Sequence, residues 1–128
     1  MAYGSALVDT IQSSTTGTPP QFNDGSGTQI GTLCRAWVNF AGATGAINAS
    51  FNVSSVTRTA TGTYTISFAT TMPDAKYCTQ IGSGATTTSV SYGYYGTNTV
   101  SASSLVINIA STTGSLADLP ATSVAVFR

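Results

Sequence analysis

The sequence predicts an all-β protein: an antiparallel β-sandwich of jelly-roll-like type with an extended N-terminal arm. Three observations predict it. Apolar residues recur at every second position in run after run, as Tyr64, Ile66 and Phe68 do against Thr63, Thr65 and Ser67. That is the period of a strand with one face buried. The runs are parted by short clusters of Gly, Thr, Asn and Pro, which suit turns. No window carries the spacing of a long amphipathic helix, and GSLADLP before Pro120 offers one turn at most.

At 128 residues the chain has the length of one domain. Residues 1–33 read as an arm for attachment and oligomerisation, and residues 34–128 as the sandwich. In the arm, SSTTGTPPQFNDGSGTQIG lacks strict periodicity and places turns at Pro19-Pro20 and Asp24-Gly25. Its apolar residues Leu7, Val8, Ile11, Phe22 and Ile30 are too many for a free tail. They are expected to pack on a neighbouring surface, of this subunit or another.

Seven strands are expected from Leu33 onward. CRAWVNF puts Ala36, Val38 and Phe40 on one face and Trp37 on the other. INASFNVSSV reads as one strand with Ile47, Ala49, Phe51 and Val53 inward and Asn48, Ser50, Asn52 and Ser54 outward. TYTISF, KYCTQIG, SVSYGYY, SLVINIA and TSVAVFR follow. Breaks are expected at Gly42–Gly45, Ala60–Gly62, Pro73-Asp74, Gly82–Gly84, Gly96–Asn98 and Thr113-Gly114. In the last strand Val124 and Val126 alternate with Ala125 and Phe127, so both faces are apolar and the strand is central or at a subunit interface. Open edges on such a chain invite aggregation unless closed oligomerisation covers them, and three-fold symmetry suits sandwiches side by side.

Charged residues make up 6% of the chain, where about 25% is usual. Arg35, Arg58, Lys76 and Arg128 balance Asp9, Asp24, Asp74 and Asp118, and there is no Glu or His. A net charge of +0 offers phosphates no basic face, so nucleic acid is not an expected partner. No stretch approaches the ~20 apolar residues of a membrane helix, so membrane insertion is not expected. MAYGSALVDT has no basic residue and no useful apolar run, which reads as a chain made and kept in a cytosol.

Catalysis is not expected. There is no His to titrate near neutral pH, and the four aspartates are unpaired in sequence and suit turns and caps. A glycosidase would need a carboxylate pair. DGSGTQ at Asp24 brings one carboxylate, too few for calcium, and no His/Cys cluster offers a zinc site, so neither metal nor cofactor is expected. Cys34 and Cys78 read as free, buried small hydrophobes, with a bridge between them as the alternative. The sequons at Asn48 and Asn52 lie within a strand and read as coincidence. The candidate contact surface is SVSYGYYGTN, where Tyr92, Tyr94, Tyr95 and Asn98 stand among glycines, since rigid amphipathic tyrosines suit binding. The competing reading has Tyr92 and Tyr94 on one strand face, filling the core or a subunit interface.

GTQIGTLCRAWVNFAG, then ASFNVSSVT, then TGTYTISFATTMPDAKY resembles a domain of tailed-phage virion proteins, of marine and cyanobacterial phages especially. RAWVNF, SFNVSS and MPDA.Y occur in the family's order over Asp24 to Tyr77, about two fifths of the chain, and the opening MAYG also looks like short proteins of those phages. VTRTATG after SFNVSS and Cys78 depart from the pattern. The resemblance implies a virion structural protein assembled in the host bacterial cytoplasm: a homotrimeric tail-fibre or tail-tip component, bound to other virion proteins and touching a host-surface glycan or protein. Gly82 to Asn98 would then be the exposed tip. The alternative is a capsid decoration protein that cements the head.

Overall fold

The computed structural model describes residues 8–12, 14, 20–84, 94–111 and 113–128. Among them every regular element is a strand, and no helix long and apolar enough to cross a membrane occurs. By internal packing the chain separates into two units, Met1–Leu33 and Cys34–Arg128.

The first unit contains a small hairpin. Strand β1 (Phe22–Asn23) pairs antiparallel with β2 (Gln29–Gly31). Asp24 builds the turn between them. Its Oδ1 accepts from the Ser26 amide at 2.9 Å and the Thr28 amide at 2.8 Å, an Asx turn, and Gly27 takes the left-handed φ of 84° that follows. Val8, Ile11, Phe22 and Ile30 are exposed, Ile30 by 70%; Leu7 lies outside the described residues.

Among the described residues the second unit is a β-sandwich of eight strands, one more than the periodicity predicts. One antiparallel sheet has the order β4 (Ile47–Phe51), β3 (Cys34–Phe40), β10 (Ala121–Phe127), β7 (Cys78–Gly84). The other has the order β5 (Val53–Ala60), β6 (Thr63–Phe68), β9 (Ser104–Ala110), β8 (Tyr94–Val100). The four inner strands supply most of the core: Ala36, Val38 and Phe40 from β3, Val124 and Val126 from β10, Tyr64, Ile66 and Phe68 from β6, and Leu105, Ile107 and Ile109 from β9. Full burial of each large apolar side chain contributes about 1.5–3 kcal/mol, so alternation on these four strands stabilises the fold. β10 lies between β3 and β7, which accounts for its two apolar faces: Val124 and Val126 are buried, while Ala125 and Phe127 are half-covered on the outer side.

The extra strand comes from Asn52. INASFNVSSV is not one strand. β4 ends at Phe51 on the edge of the first sheet, and β5 begins at Val53 on the edge of the second. Asn52 alone makes the corner, with a left-handed φ of 54° that Asn tolerates better than most residues. Its side chain secures the bend. Nδ2 donates to the Arg35 carbonyl (3.0 Å) and the Thr70 carbonyl (3.1 Å), and Oδ1 accepts from the Thr70 amide (2.7 Å). The expected inward set fails at Ile47, Ala49 and Phe51, all exposed: Ala49 and Phe51 stand opposite Asn39 and Trp37 on the outer face of the sheet, and a register shift parts them from Ile47.

Other boundaries also differ from expectation. Gly82–Gly84 is not a break but the end of β7, paired in register with Ala121–Ser123. Gly96–Asn98 lies within β8, where the register shifts between Thr97 and Thr99. Glycine and a bulge are tolerated there because pairing with β9 supplies the order that local propensity lacks. β7 starts at Cys78 rather than Lys76, and Tyr77 before it turns its hydroxyl to the carbonyls of Ser101 and Ser104, both at 3.1 Å. The cysteines are free, and neither is buried: Cys34 is half-covered and Cys78 exposed. Both stand opposite Phe127, one on each side, which spaces their Cα atoms about 10 Å apart where a bridge needs less than about 7 Å.

Candidate functional site

Residues directly opposed on antiparallel strands share a face, so the register of the first sheet writes out its outer surface. Phe51, Trp37, Ala125 and Gln80 form one row across the four strands. Ala49, Asn39, Ser123 and Gly82 form the next. Trp37 is 41% exposed and its row neighbour Phe51 is 55% exposed, a pair of large aromatic rings on the outside of the sheet.

A groove of about 380 Å³ lies beside Trp37. Trp37 and Asn39 form one wall, Gln80 and Gly82 the other, and Ser123 and Ala125 the floor. It exists because β10 carries the small residues Ser123 and Ala125 at successive outward positions, below the larger Trp37, Asn39 and Gln80 of the neighbouring strands. The polar groups are already oriented. Asn48 Nδ2 donates to Asn39 Oδ1, and Asn39 Nδ2 donates to Ser123 Oγ, both at 2.8 Å. Ser123 accepts in this chain, which leaves its own proton to donate outward, and Asn39 keeps a second amide proton. No charged side chain lines the groove.

A charged cluster around Asp118 lies elsewhere and is structural. Asp118 Oδ2 accepts from Arg58 Nε (3.0 Å) and Nη2 (2.7 Å), while Oδ1 accepts from the Gly62 amide (2.9 Å) and the Tyr64 hydroxyl (2.7 Å). The Arg58 hydrogen bond, helped by those from Gly62 and Tyr64, holds the Asp118 carboxyl at about 2, below its usual 3.8. Burial, then the bond to Asp118, pushes the fully buried Tyr64 phenol well above its usual 10. With both oxygens occupied and no proton to give near neutral pH, Asp118 is a clamp between strands. Two glycines make room for it. A Cβ on Gly42 would collide with the Leu119 carbonyl and the Tyr64 hydroxyl, and one on Gly62 with the Ile109 carbonyl.

Asp74 is also engaged, in the turn before β7. Asp74 Oδ1 accepts from the Lys76 amide at 2.8 Å, and its two oxygens receive Arg128 Nε (3.0 Å) and Nη2 (2.6 Å). That Arg128 pair, with the Lys76 amide second, draws the Asp74 carboxyl down to about 2.

Of the residues predicted to contact a receptor, Tyr94, Tyr95 and Asn98 belong to β8, the edge strand of the second sheet, and Tyr92 lies outside the described residues. The expected tip, Gly82 to Asn98, is strand at both ends, with 85–93 outside the described residues. The groove draws on Asn39, Gln80 and Ser123, which the sequence did not single out. One signal for it was present: Trp37 occupies the outward phase of β3, where a polar residue is usual.

Comparison of the chain with family models, with curated proteins and with solved structures gave no match.

Proposed function

We propose that this protein is a structural component of a tailed-phage particle, a homotrimeric tail-fibre or tail-tip element that takes part in host attachment. The observation that carries the reading is the surplus of exposed apolar side chains on a chain with 6% charged residues: Val8, Ile11, Phe22 and Ile30 in the arm, Ile47 and Phe51 on the edge strand β4 of the sandwich. Such a surface is soluble as an isolated subunit only with difficulty, and closed assembly or docking on other virion proteins covers it. The resemblance of RAWVNF, SFNVSS and MPDA.Y to virion proteins supports the same reading, and so does the engagement of Asp24, Asp74 and Asp118 in structural hydrogen bonds.

Light scattering on the purified chain and quantitative densitometry of purified particles test it. A trimer in solution, and copies in threes or small multiples of three around a tail, are the expected results. Hundreds of copies scaling with the capsid lattice would move the protein to the head as a decoration protein. A stable monomer absent from particles would overturn both readings.

A further inference from the structure

We propose that the groove beside Trp37 binds a neutral pyranose ring. Its volume of about 380 Å³ sits at the small end of ligand sites, which run from about 300 to 1,000 Å³, and suits one ring rather than a peptide or a dinucleotide. Trp37 and Gln80 stand on either side of Ala125, so strand spacing separates their Cα atoms by about 10 Å, room for one six-membered ring between the side chains. A pyranose presents a patch of C–H bonds on its face and hydroxyls around its rim. The groove offers the complement. An exposed indole supplies an apolar wall with a polar edge, and the Ala125 methyl an apolar floor. Around them stand the Asn39 and Gln80 amides and the Ser123 hydroxyl, groups that both donate and accept, as sugar hydroxyls do.

Charge narrows the ligand further. No ionic side chain lines the groove and the chain carries a net charge of +0, so nothing there favours a phosphate, a carboxylate or an ammonium group. The Asn48–Asn39–Ser123 hydrogen bonds hold two of the polar groups in place before any ligand arrives, which reduces the ordering cost of binding. The inference names a ligand class for the attachment reading and rests on it only for its biological sense. Particle location decides that reading, and soluble protein decides this one, so the two fail separately.

Trp37 is the only tryptophan of the chain, so its emission reports directly on the groove. The full chain is titrated with neutral methyl glycosides, with sorbitol as an acyclic polyol and with glucuronate as a charged sugar. The expected result is a saturable change in emission with at least one neutral glycoside, in the millimolar range and without effect from sorbitol or glucuronate. Ser123→Ala and Gln80→Ala, both exposed positions, should each weaken it at least about five-fold with far-UV circular dichroism unchanged. Amide shifts in a proton–nitrogen correlation spectrum should centre on Trp37, Gln80 and Ser123. A non-saturating response shared with sorbitol, a preference for glucuronate, or binding indifferent to both substitutions overturns the proposal.

Discussion

The Tyr64 hydroxyl donates a 2.7 Å hydrogen bond to Asp118 Oδ1 from a side chain with no solvent exposure. The ring below packs edge-on against Phe40, centroids 4.9 Å apart, so one residue joins the core to the clamp that fastens the segment before β10 onto β5 and β6. Tyr64→Phe keeps the packing and removes one bond to a charged group, a loss of about 1.5–3 kcal/mol. Asp118→Ala costs more, because it strands a buried hydroxyl and the Gly62 amide together. Urea denaturation should place the variants in that order. The double variant should lose less than the sum of the two, since both remove the same bond.

Acid should unfold the protein through its two clamped carboxyls. Asp118 and Asp74 titrate at about 2 when folded against a usual 3.8, so their stabilisation is complete above pH of about 4 and is lost as pH falls from there toward 2. Solvent screening keeps the Asp118 contribution on the order of 1 kcal/mol. At the other end the raised Tyr64 phenol favours the folded state until the unfolded chain begins to ionise, so stability declines above pH of about 10. Denaturant midpoints measured from pH 2 to 11 check both arms, and Asp118→Asn should flatten the acid one.

The corner at Asn52 separates backbone strain from side-chain bonding. Asn52→Gly keeps easy access to the left-handed φ of 54° but loses the bonds to Arg35 and Thr70. Asn52→Ala loses both, so it should be less stable than the Gly variant by about 1 kcal/mol. Equal midpoints for the two would show that the corner does not constrain the backbone.

Ile47 and Phe51, on the edge strand β4, should matter for association and little for folding. Both are more than one third exposed, so Ile47→Ala and Phe51→Ala should each cost less than about 1 kcal/mol of stability. In light scattering the same substitutions should shift the proposed trimer toward smaller species. A large loss of thermal stability without a change in assembly would contradict the role proposed for this face.

Thiol chemistry gives a test of register. Cys78 should react with a thiol reagent in the native protein faster than Cys34, which is half-covered and donates to the Ala36 carbonyl at 3.2 Å. Oxidation should yield no bridge within the chain, as mass measurement of non-reduced peptides would reveal.

The inner strands were legible because burial on a sheet has a period of two, and that period is local. TYTISF and SLVINIA each carry it in six or seven letters, and Tyr64, Ile66, Leu105 and Ile107 are buried as the alternation requires. The poverty of charge was equally plain. The rest depended on partners distant in the chain. Nothing near INASFNVSSV tells it to bend, since the Arg35 and Thr70 carbonyls that hold Asn52 lie 17 and 18 residues away. SVSYGYY reads as a strand that stops at a turn over Gly96–Asn98, yet pairing with β9 carries the strand on to Val100. The groove is the least local feature of all. Trp37, Gln80 and Ala125 become neighbours only when the final strand inserts between β3 and β7, and strand order is an energy of the whole sheet that no single segment encodes.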